Sequence, residues 1–591
     1  MRTPGDVSAH PQGKHPKGLP YLFFTEMWER FGYYLMLGIF VLYMIDVEKG
    51  GLAIKDKEAY DIFGTFIAIT YLTPFLGGFL ADRVLGYIKS VYIGGALMGV
   101  GYLGLGLPGL AYFGVEMSHG MVMNSFWASI FLIVVGNGFF KPSISTMLGN
   151  LYSTPEYIER KDWGYNLFYM GINIGALLGP ILAAFMRNKY EHGWSAAFCT
   201  AGVGMFVGLI VFSFGLKHVR SGERQKPVVQ SGDNLLEGLP GAEHKEDSSI
   251  GQVLGYVFLP ALAAGVLGWF LPGLLLGKGK TFLDSQSTDA FLFAAVPVVI
   301  FYVSLWVRAR PSEKRPIAAL LAIFAVSIVF WAVFKQNGTA LTNWGKYYTD
   351  REVPAAIAPA ARALYQVQTM KTTTDSVALY DEQFRAETKE GKAVKTLDRN
   401  VYFRNLPPDK IPTDGRDVYL ASTELYQSIN PAWVVLLTPV VVAFFAYLRR
   451  RKMEPSTPSK IAIGLVISAL STLVMVWAVY WSSNGAIKVS PWWLVGCYGV
   501  ITLGELCLSP MGLSLVSKLS PPRFTALMMG GFFLSTSIGN KMSGVLAGLW
   551  YGYENKANFF LVNCMLLLVA AAMTFLMLRW LNGVMKEKGV R

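Results

Sequence analysis

The sequence TEMWERFGYY, residues 25–34, lies inside the first long apolar stretch of the chain, which runs from residue 21 to residue 45. A charged side chain at the centre of a bilayer costs between about 2.5 and more than 10 kcal/mol, so such residues are rare unless they have a function. Glu26, Arg30 and Tyr33 follow the spacing of one helical face. The residues that precede Arg30 in this stretch place it about 13 Å deep in a hydrocarbon core of about 30 Å. The pattern favours a polar site inside a membrane over the alternative, a shallow cluster of charges at the interface.

The composition is typical of a protein that crosses the membrane many times. Hydrophobic residues make up 53% of the 591 residues, charged residues make up 15%, and the mean hydropathy is +0.39. The net charge of +13 would suggest nucleic acid in a soluble chain, but here the basic residues lie between apolar segments, so we expect the lipid bilayer and no nucleic acid as a partner. The four cysteines lie in apolar segments without CxxC spacing, and we expect neither disulfides nor a metal site.

Fourteen apolar segments are long enough to cross a bilayer as helices. They lie near residues 21–45, 59–81, 88–113, 125–150, 163–186, 196–216, 253–277, 289–308, 316–341, 428–448, 459–482, 491–517, 524–549 and 558–582. Lys and Arg are concentrated in the loops that are cytoplasmic when both termini are cytoplasmic. The sequence therefore predicts an all-α polytopic membrane protein with fourteen transmembrane helices and both termini inside.

Short matches between two halves of the chain indicate an internal repeat. Gly32 corresponds to Gly338 at an offset of 306, whereas Gly136 corresponds to Gly504 at an offset of 368. The change in offset places an insertion between the first two helices of the second half, within the polar external stretch 342–427. Such repeats surround substrate sites near the middle of the bilayer in secondary transporters. We expect the following segments: a cytoplasmic tail at 1–20, a six-helix bundle at 21–216, a cytoplasmic linker at 217–252, an extra transmembrane hairpin at 253–308, and a second six-helix bundle at 309–591 that carries the insertion.

Four motifs closely resemble those of the proton-coupled oligopeptide transporter (POT/PTR) family within the major facilitator superfamily. They are ExxERFGYY at 26–34, GGFLADRVLG at 77–86, FYMGINIG at 168–175 and ELCLSP at 505–510. The first motif is highly specific, whereas the second alone would indicate only the superfamily. The resemblance implies the major facilitator fold in its bacterial form, with two six-helix halves and an extra two-helix hairpin, in the bacterial inner (plasma) membrane.

The resemblance also implies symport of di- and tripeptides with protons by alternating access. It assigns the peptide carboxylate to Arg30 and Lys141, and the peptide ammonium to Glu505. The other positions that it assigns to the substrate site are two asparagines, three tyrosines and one phenylalanine: Asn173, Asn430, Tyr33, Tyr34, Tyr71 and Phe532.

The charges of the predicted site suit a peptide on physical grounds as well. A peptide zwitterion must exchange its hydration at both ends for fixed partners, so its site needs a cationic end and an anionic end. The alternative for Lys141 and Glu505 is a salt bridge between the halves without a role in substrate binding. The two roles are compatible, because a pair that closes a gate can open to admit a ligand. For the tyrosines and asparagines, ordinary contacts between helices are the alternative.

Two positions depart from the family pattern. Lys335 stands where the family usually carries Glu or Asp in the ninth span, and Phe532 replaces the usual tryptophan of the thirteenth span. We expect gating to involve Lys335 together with Lys141 and Glu505. The repeat aligns Lys335 with Glu29, so we expect it to have a carboxylate partner, Glu29 or Glu26, or else to be a neutral amine.

The coupled proton is expected on a carboxylate, because no histidine lies within a predicted span. Glu26 and Glu29 share the single cation Arg30, so both carboxylates cannot be fully neutralised, and one of them is expected to carry the proton. A peptide carboxylate that takes over Arg30 would favour protonation of the displaced glutamate, which links the two ligands. Glu505 is the next candidate. We expect a monomer that uses protons as its coupling ion and needs no cofactor.

Three other functions remain as alternatives to peptide symport. A drug/proton antiporter of the same superfamily would also use buried carboxylates, but the cations Arg30 and Lys141 suit an anionic group better. A transporter of a small anion such as nitrate would have no use for Glu505. A membrane-embedded enzyme is disfavoured because the chain has no HExxH, GxSxG or Walker motif.

Overall fold

The computed structural model describes residues 15–157, 160–223, 254–283, 285–389, 392–412, 415–521 and 525–588. Within these residues fourteen helices have eighteen or more residues. They are α1 (Leu19–Ile45), α2 (Asp56–Leu80), α3 (Tyr87–Leu105), α4 (His119–Leu151), α5 (Lys161–Lys189), α6 (Gly193–Val219), α7 (Leu259–Leu276), α8 (Gln286–Arg308), α9 (Pro311–Phe334), α12 (Ile429–Arg450), α13 (Thr457–Trp481), α14 (Trp492–Leu519), α15 (Thr525–Gly548) and α16 (Lys556–Glu587). Two short helices, α10 (Ala340–Tyr347) and α11 (Ala358–Ala363), complete the numbering.

The predicted spans correspond to these fourteen helices, with differences at some ends. The span expected at 88–113 ends earlier as an α-helix, because α3 stops at Leu105 and a 3-10 helix with Pro108 follows. Of the helices in the described residues, twelve are long and apolar enough to cross a membrane by length and composition alone. The two long helices outside that set are α1, which carries the three charges of the first motif, and α15, which contains Lys541.

The helices pack as two bundles with the same arrangement, as the repeat predicts. In the first bundle α1 packs against α5 and α6, α3 packs against α4 and α6, and α2 packs against α4. In the second bundle α9, α12, α13, α14, α15 and α16 take the places of α1 to α6 and repeat each of these contacts. The bundles meet through α2 with α15 and through α5 with α12, which are also equivalent pairs. The chain therefore has the major facilitator architecture of two six-helix halves with an extra hairpin, α7 and α8.

Matching glycines explain why equivalent helices cross closely in the two bundles. A Cβ atom on Gly136 would lie 2.5 Å from the carbonyl oxygen of Gly94, where α4 crosses α3. A Cβ atom on Gly504 would lie 2.7 Å from the carbonyl oxygen of Gly464, where α14 crosses α13. Small residues allow helix backbones to approach in this way in membranes. The pair that the sequence repeat matched at an offset of 368 thus performs the same packing role in both bundles.

Residues 342–427, called the insertion below, contain β-strands as well as helices. Three antiparallel two-stranded ribbons form within it: β1 (Val367–Lys371) with β6 (Asp417–Ala421), β2 (Asp375–Ala378) with β5 (Lys395–Asp398), and β3 (Thr388–Lys389) with β4 (Lys392–Ala393). The all-α prediction therefore holds for the membrane helices and not for the insertion. The buried side chain of Asn405, within the insertion, donates to the carbonyl oxygens of Tyr347 and Gly485, both at 3.1 Å. These hydrogen bonds fix the insertion to the loop after α13.

The insertion lies across both bundles at one end of the molecule, called the insertion end below. Arg187 at the end of α5 donates from Nε and Nη2 to Glu424 at 2.6 and 2.7 Å, and the two side chains are 8% and 0% exposed. Asn188 donates to Ser422 at 2.7 Å, and Ser428 donates to the carbonyl oxygen of Leu177 at 2.9 Å. The first and second bundles are therefore joined at this end by a buried ion pair.

The predicted segment boundaries fall partly outside the described residues. The tail expected at 1–20 is described from residue 15, and α1 begins at Leu19. The linker expected at 217–252 overlaps the end of α6 at Val219, and its remainder from residue 224 lies outside the described residues.

The Arg187–Glu424 pair gives a stability prediction. We expect Arg187→Met to lower the free energy of unfolding by about 3–5 kcal/mol, because it leaves the carboxylate of Glu424 buried without its partner. The double variant Arg187→Met/Glu424→Met should recover most of this loss, since apolar residues of similar volume replace a buried ion pair at little cost. Denaturant unfolding of the purified protein in detergent measures both. Equal losses in the single and the double variant would contradict the assignment.

Candidate functional site

The charged residues of α1 form a buried ion cluster within one helix. Arg30 donates from Nη2 to Oε1 of Glu29 at 2.6 Å, and its Nε contacts the other oxygen of the same carboxylate. Oε1 of Glu26 lies 3.4 Å from the same Nε, whereas Oε2 of Glu26 is buried without a hydrogen-bond partner. Arg30, Glu29 and Glu26 are 5%, 0% and 2% exposed. The predicted sharing of one cation by two carboxylates is confirmed, and the two carboxylates are not equivalent.

Neighbouring helices hold this cluster in place. A Cβ atom on Gly175 would lie 2.4 Å from the carbonyl oxygen of Met27, so the third motif brings α5 directly against α1. From α4, Asn137 donates to Oε1 of Glu29 at 3.4 Å, and the side chain of Asn137 is fully buried. Glu29 is thereby bound from two sides, by Arg30 on its own helix and by Asn137 on the next.

Two lysines, one from each bundle, approach the same aromatic ring. The ammonium of Lys141 on α4 lies 4.5 Å from the ring centroid of Tyr71 on α2, and the ammonium of Lys335 at the end of α9 lies 5.9 Å from that centroid. Both lysines and Tyr71 are partly exposed. Cation–π contacts compensate a positive charge only in part, so these ammonium groups are available to an anionic ligand.

Of the two alternatives expected for Lys335, an ion pair with Glu29 or Glu26 is wrong for the described residues, whereas a neutral amine stays a prediction. The residues around its ammonium are aromatic: besides Tyr71, the rings of Trp331 and Phe334 lie 5.8 and 5.6 Å away. Among the described residues no carboxylate forms an ion pair with Lys335. The physical reason is that Glu26 and Glu29 both face Arg30 on their own helix and leave no carboxylate of α1 for a residue on α9.

The anionic end of the predicted site lies in the second bundle. Oε2 of Glu505 on α14 accepts a hydrogen bond from Nδ2 of Asn430 at 3.0 Å, and the same Nδ2 donates to Thr502 at 2.8 Å. Glu505 and Asn430 are partly exposed. In the described part of the chain, Lys141 and Glu505 form no ion pair with each other. The arrangement therefore combines cations from both bundles with a carboxylate that has no ion-pair partner among the described residues, which suits a ligand with opposite charges at its two ends.

The remaining predicted residues have other surroundings. Tyr33 lies under the guanidinium of Arg30 at 4.9 Å, and its ring packs against Tyr34. Asn173 donates to the carbonyl oxygen of Tyr169 on its own helix at 2.9 Å. Phe532 is 3% exposed and lies in the core of the second bundle, where its ring packs against α9 and Gly512. Their contact with a substrate stays a prediction.

Several polar residues that form hydrogen bonds or ion pairs between helices were not identified from the sequence. Asn137 stands between two glycines of a segment that was already compared between the halves, and Thr502 precedes Glu505 by three residues. Asp61 and Lys541 lie within the spans expected at 59–81 and 524–549 and form a buried ion pair between α2 and α15. The cost of a membrane-buried charge, which drew attention to Glu26, applies equally to Lys541 and would have identified it.

Two repeated six-helix bundles with charged residues between them are typical of secondary transporters. Residues 88–364 and 417–561 match the sequence profile of the POT family. The match covers more than half of the chain, and the chain belongs to the POT family. It is a multi-pass membrane transporter and not an enzyme.

Individual relatives match over nearly the whole chain. An uncharacterized transporter of Bacillus subtilis (strain 168), YclF, is 30% identical over 91% of this chain and 88% of its own length. A di-/tripeptide transporter of Lactococcus lactis subsp. lactis (strain IL1403) is 26% identical over 93% of this chain and 92% of its own length. A crystal structure described as the peptide transporter POT in complex with sulfate is similar with a TM-score of 0.69 and 27% identity, over 98% of this chain and 97% of that chain.

The surroundings of Lys335 predict how its loss affects stability. We expect Lys335→Gln to lower the free energy of unfolding by about 1 kcal/mol or less, because it removes cation–π contacts at a partly exposed position. Arg30→Gln, which leaves two carboxylates buried, should lower it by about 3–5 kcal/mol and serves as the comparison. Denaturant unfolding measures both variants. A loss for Lys335→Gln as large as that for Arg30→Gln would mean that Lys335 has a buried anionic partner.

Proposed function

We propose that this protein imports di- and tripeptides together with protons, by alternating access across the bacterial inner membrane. The observation that carries the proposal is that the central site holds both lysine cations and a carboxylate, and that none of them has an ion-pair partner among the described residues. Lys141 and Lys335 lie over the ring of Tyr71, whereas Glu505 accepts a hydrogen bond from Asn430 and forms no ion pair with a cation in the described part of the chain. A zwitterionic peptide supplies the two missing partners at once. The name of the Lactococcus lactis relative supports the same substrate class.

In this proposal the cationic end binds the peptide carboxylate and Glu505 binds the peptide ammonium. The guanidinium of Arg30 contacts Glu29, so it contributes positive charge and joins the peptide carboxylate when that contact loosens. Asn430 orients the carboxylate of Glu505 by a hydrogen bond at 3.0 Å. Recognition is thereby limited to the two ends and the short backbone that all small peptides share, which leaves the side chains free to vary.

Proton coupling is assigned to the cluster on α1. Glu29 receives two contacts from Arg30 and one from Asn137, so it acts as the permanent counterion. Glu26 has one longer contact, at 3.4 Å, and an oxygen without a hydrogen-bond partner, which makes it the carboxylate best placed to take up and release a proton. When a peptide carboxylate draws Arg30 away, Glu26 loses the cation with which it forms an ion pair, and protonation then removes a poorly compensated buried charge. Peptide and proton therefore favour each other's binding.

We assign the insertion end to the outside and both termini to the cytoplasm, following the distribution of Lys and Arg among the loops. The bundles are joined at the insertion end, by Arg187 with Glu424 and by Lys541 with Asp61. In this orientation the two ion pairs join the bundles on the external side, and we assign them to the stages of the cycle in which that side is closed. The protein functions as a monomer with protons as its coupling ion.

Terminal modification of the peptide tests the substrate and its orientation. Proteoliposomes with an inward proton gradient should accumulate Ala-Ala, and an uncoupler should abolish the accumulation. N-acetylation and C-amidation should each weaken the ability of the dipeptide to compete with the uptake of Ala-Ala about 10- to 100-fold, the effect of losing hydrogen bonds to a charged group. Glu505→Gln should become insensitive to N-acetylation and remain sensitive to amidation, whereas Lys141→Gln should show the reverse.

The opposite pattern in the two variants would mean that the peptide is bound the other way round. Nitrate, sulfate and a cationic drug serve as further competitors in the same assay. If one of these compounds inhibits uptake at concentrations at which Ala-Ala does not, the proposal of peptide symport would be wrong, and transport of an anion or a drug would take its place.

The difference between Glu26 and Glu29 gives a second prediction. Glu26→Gln imitates the protonated side chain, so it should abolish proton-driven accumulation while peptide counterflow continues at a rate within about threefold of the wild type. Glu29→Gln removes the main partner of Arg30 and should lower the free energy of unfolding by about 3 kcal/mol, which Glu26→Gln should not do. Uptake assays and denaturant unfolding measure the two effects. Full proton-driven uptake by Glu26→Gln would transfer the coupling role to another carboxylate.

A further inference from the structure

The hairpin of α7 and α8 packs sparsely against the two bundles. In α7 only Gly268 and Pro272 are buried, and in α8 only Thr288, Asp289 and Tyr302. Asp289 is used locally, since its carboxylate accepts from the backbone N–H groups of residues 282 and 283. Tyr302 donates to the carbonyl oxygen of Leu527 at 2.8 Å, which fixes α8 to α15. The other buried polar contact of the hairpin lies at the insertion end, around Thr288.

That contact is part of a network that joins three elements. Lys541 of α15 is fully buried, and its ammonium forms an ion pair with Asp61 of α2. The same ammonium donates to Thr65 of α2 at 2.7 Å and to Ser287 of α8 at 2.8 Å. A buried ammonium requires acceptors for each of its three N–H groups, and the hairpin supplies one of the three found here.

The hairpin also binds the carboxylate of this pair. Ser287 donates to Oδ2 of Asp61, and Thr288 donates to Oδ1 of Asp61 at 3.2 Å. Ser285 in turn accepts from the backbone N–H of Thr288 at 3.1 Å, so the first turn of α8 is held in the position that presents both hydroxyls. Two hydroxyl groups from an otherwise lipid-facing hairpin thus converge on one carboxylate, and that carboxylate belongs to the ion pair between the bundles.

We propose that the hairpin is a third member of the lock that closes the insertion end of the transporter. Ser287 and Thr288 hold Asp61 in the position that Lys541 requires. If α8 stays with α15, to which Tyr302 attaches it, separation of α2 from α15 breaks the contacts of Asp61 with Lys541, Ser287 and Thr288 together. The hairpin thereby increases the stability of the closed state over that of the open state. The inference rests on the proposed alternating access, since a lock is needed only if this end opens.

The hydroxyl of Ser287 provides the test. Spin labels at Glu116 and Trp492, which are exposed at the insertion end of the first and second bundles, report the distance between the bundles. The labels are introduced as cysteines in a chain whose four natural cysteines are replaced by alanine, and distances are measured by double electron–electron resonance in detergent. In Ser287→Ala, the ratio of the population at the longer distance to the population at the shorter distance should rise about tenfold, the effect of losing a hydrogen bond to a charged group. This population ratio is called the ratio below. Thr288→Val should shift the ratio in the same direction.

Two control variants distinguish a loss of the lock from a general loss of packing in the hairpin. Ser304→Ala makes the same change on the same helix, but the hydroxyl of Ser304 donates only to the carbonyl oxygen of Phe301 within α8, so the wild-type ratio is expected. Ser287→Thr keeps the hydroxyl and should also give the wild-type ratio. A ratio in Ser287→Ala and Thr288→Val equal to that of Ser304→Ala would overturn the proposal. The distances are measured without peptide or a proton gradient, so a failure of peptide uptake leaves this test unaffected and the two proposals can fail separately.

Discussion

The rest of the structure depends on how charges are compensated where water is absent. Arg30 meets Glu29 and Glu26 on its own helix, so α1 enters the bundle with its charges already opposed. This local compensation permits close packing around α1: Gly175 brings α5 against the backbone at Met27, and Asn137 of α4 adds a hydrogen bond to Glu29. A charged helix thereby becomes the centre of the first bundle instead of a helix that faces lipid or water.

The remaining buried charges divide into two groups with different consequences. At the insertion end, Arg187 pairs with Glu424 and Lys541 pairs with Asp61, and both pairs join the two bundles. Between the bundles, the two lysines beside Tyr71 and the carboxylate of Glu505 have aromatic or amide neighbours, and none of them forms an ion pair with another described residue. Paired charges join the bundles at one end of the molecule, whereas the unpaired ones form the candidate site, where the proposed peptide supplies the opposite charges.

The two bundles share a packing scheme but not their charges. Gly136 and Gly504 perform the same role at equivalent helix crossings, so the repeat is preserved where backbones touch. The position equivalent to Glu29 is Lys335, and its surroundings are aromatic instead of ionic. Close packing at a helix crossing is a steric requirement common to both bundles. The charge at a given position depends instead on the residues that surround it in its own bundle. The symmetric scaffold therefore carries an asymmetric set of charges.

The sequence by itself determined the features that depend on short separations along the chain. Apolar length gave the fourteen helices, the helical repeat gave the contact of Arg30 with Glu26, and the matched motifs gave the two bundles and the position of the insertion. Only the tertiary structure decided which distant residues meet: Asp61 with Lys541 and the hairpin hydroxyls, Asn430 with Glu505, the ribbons of the insertion, and the aromatic surroundings of Lys335 in place of a carboxylate. Partners within one helical turn follow from the geometry of the helix, whereas partners hundreds of residues apart depend on which helix faces pack together, and no local pattern specifies that.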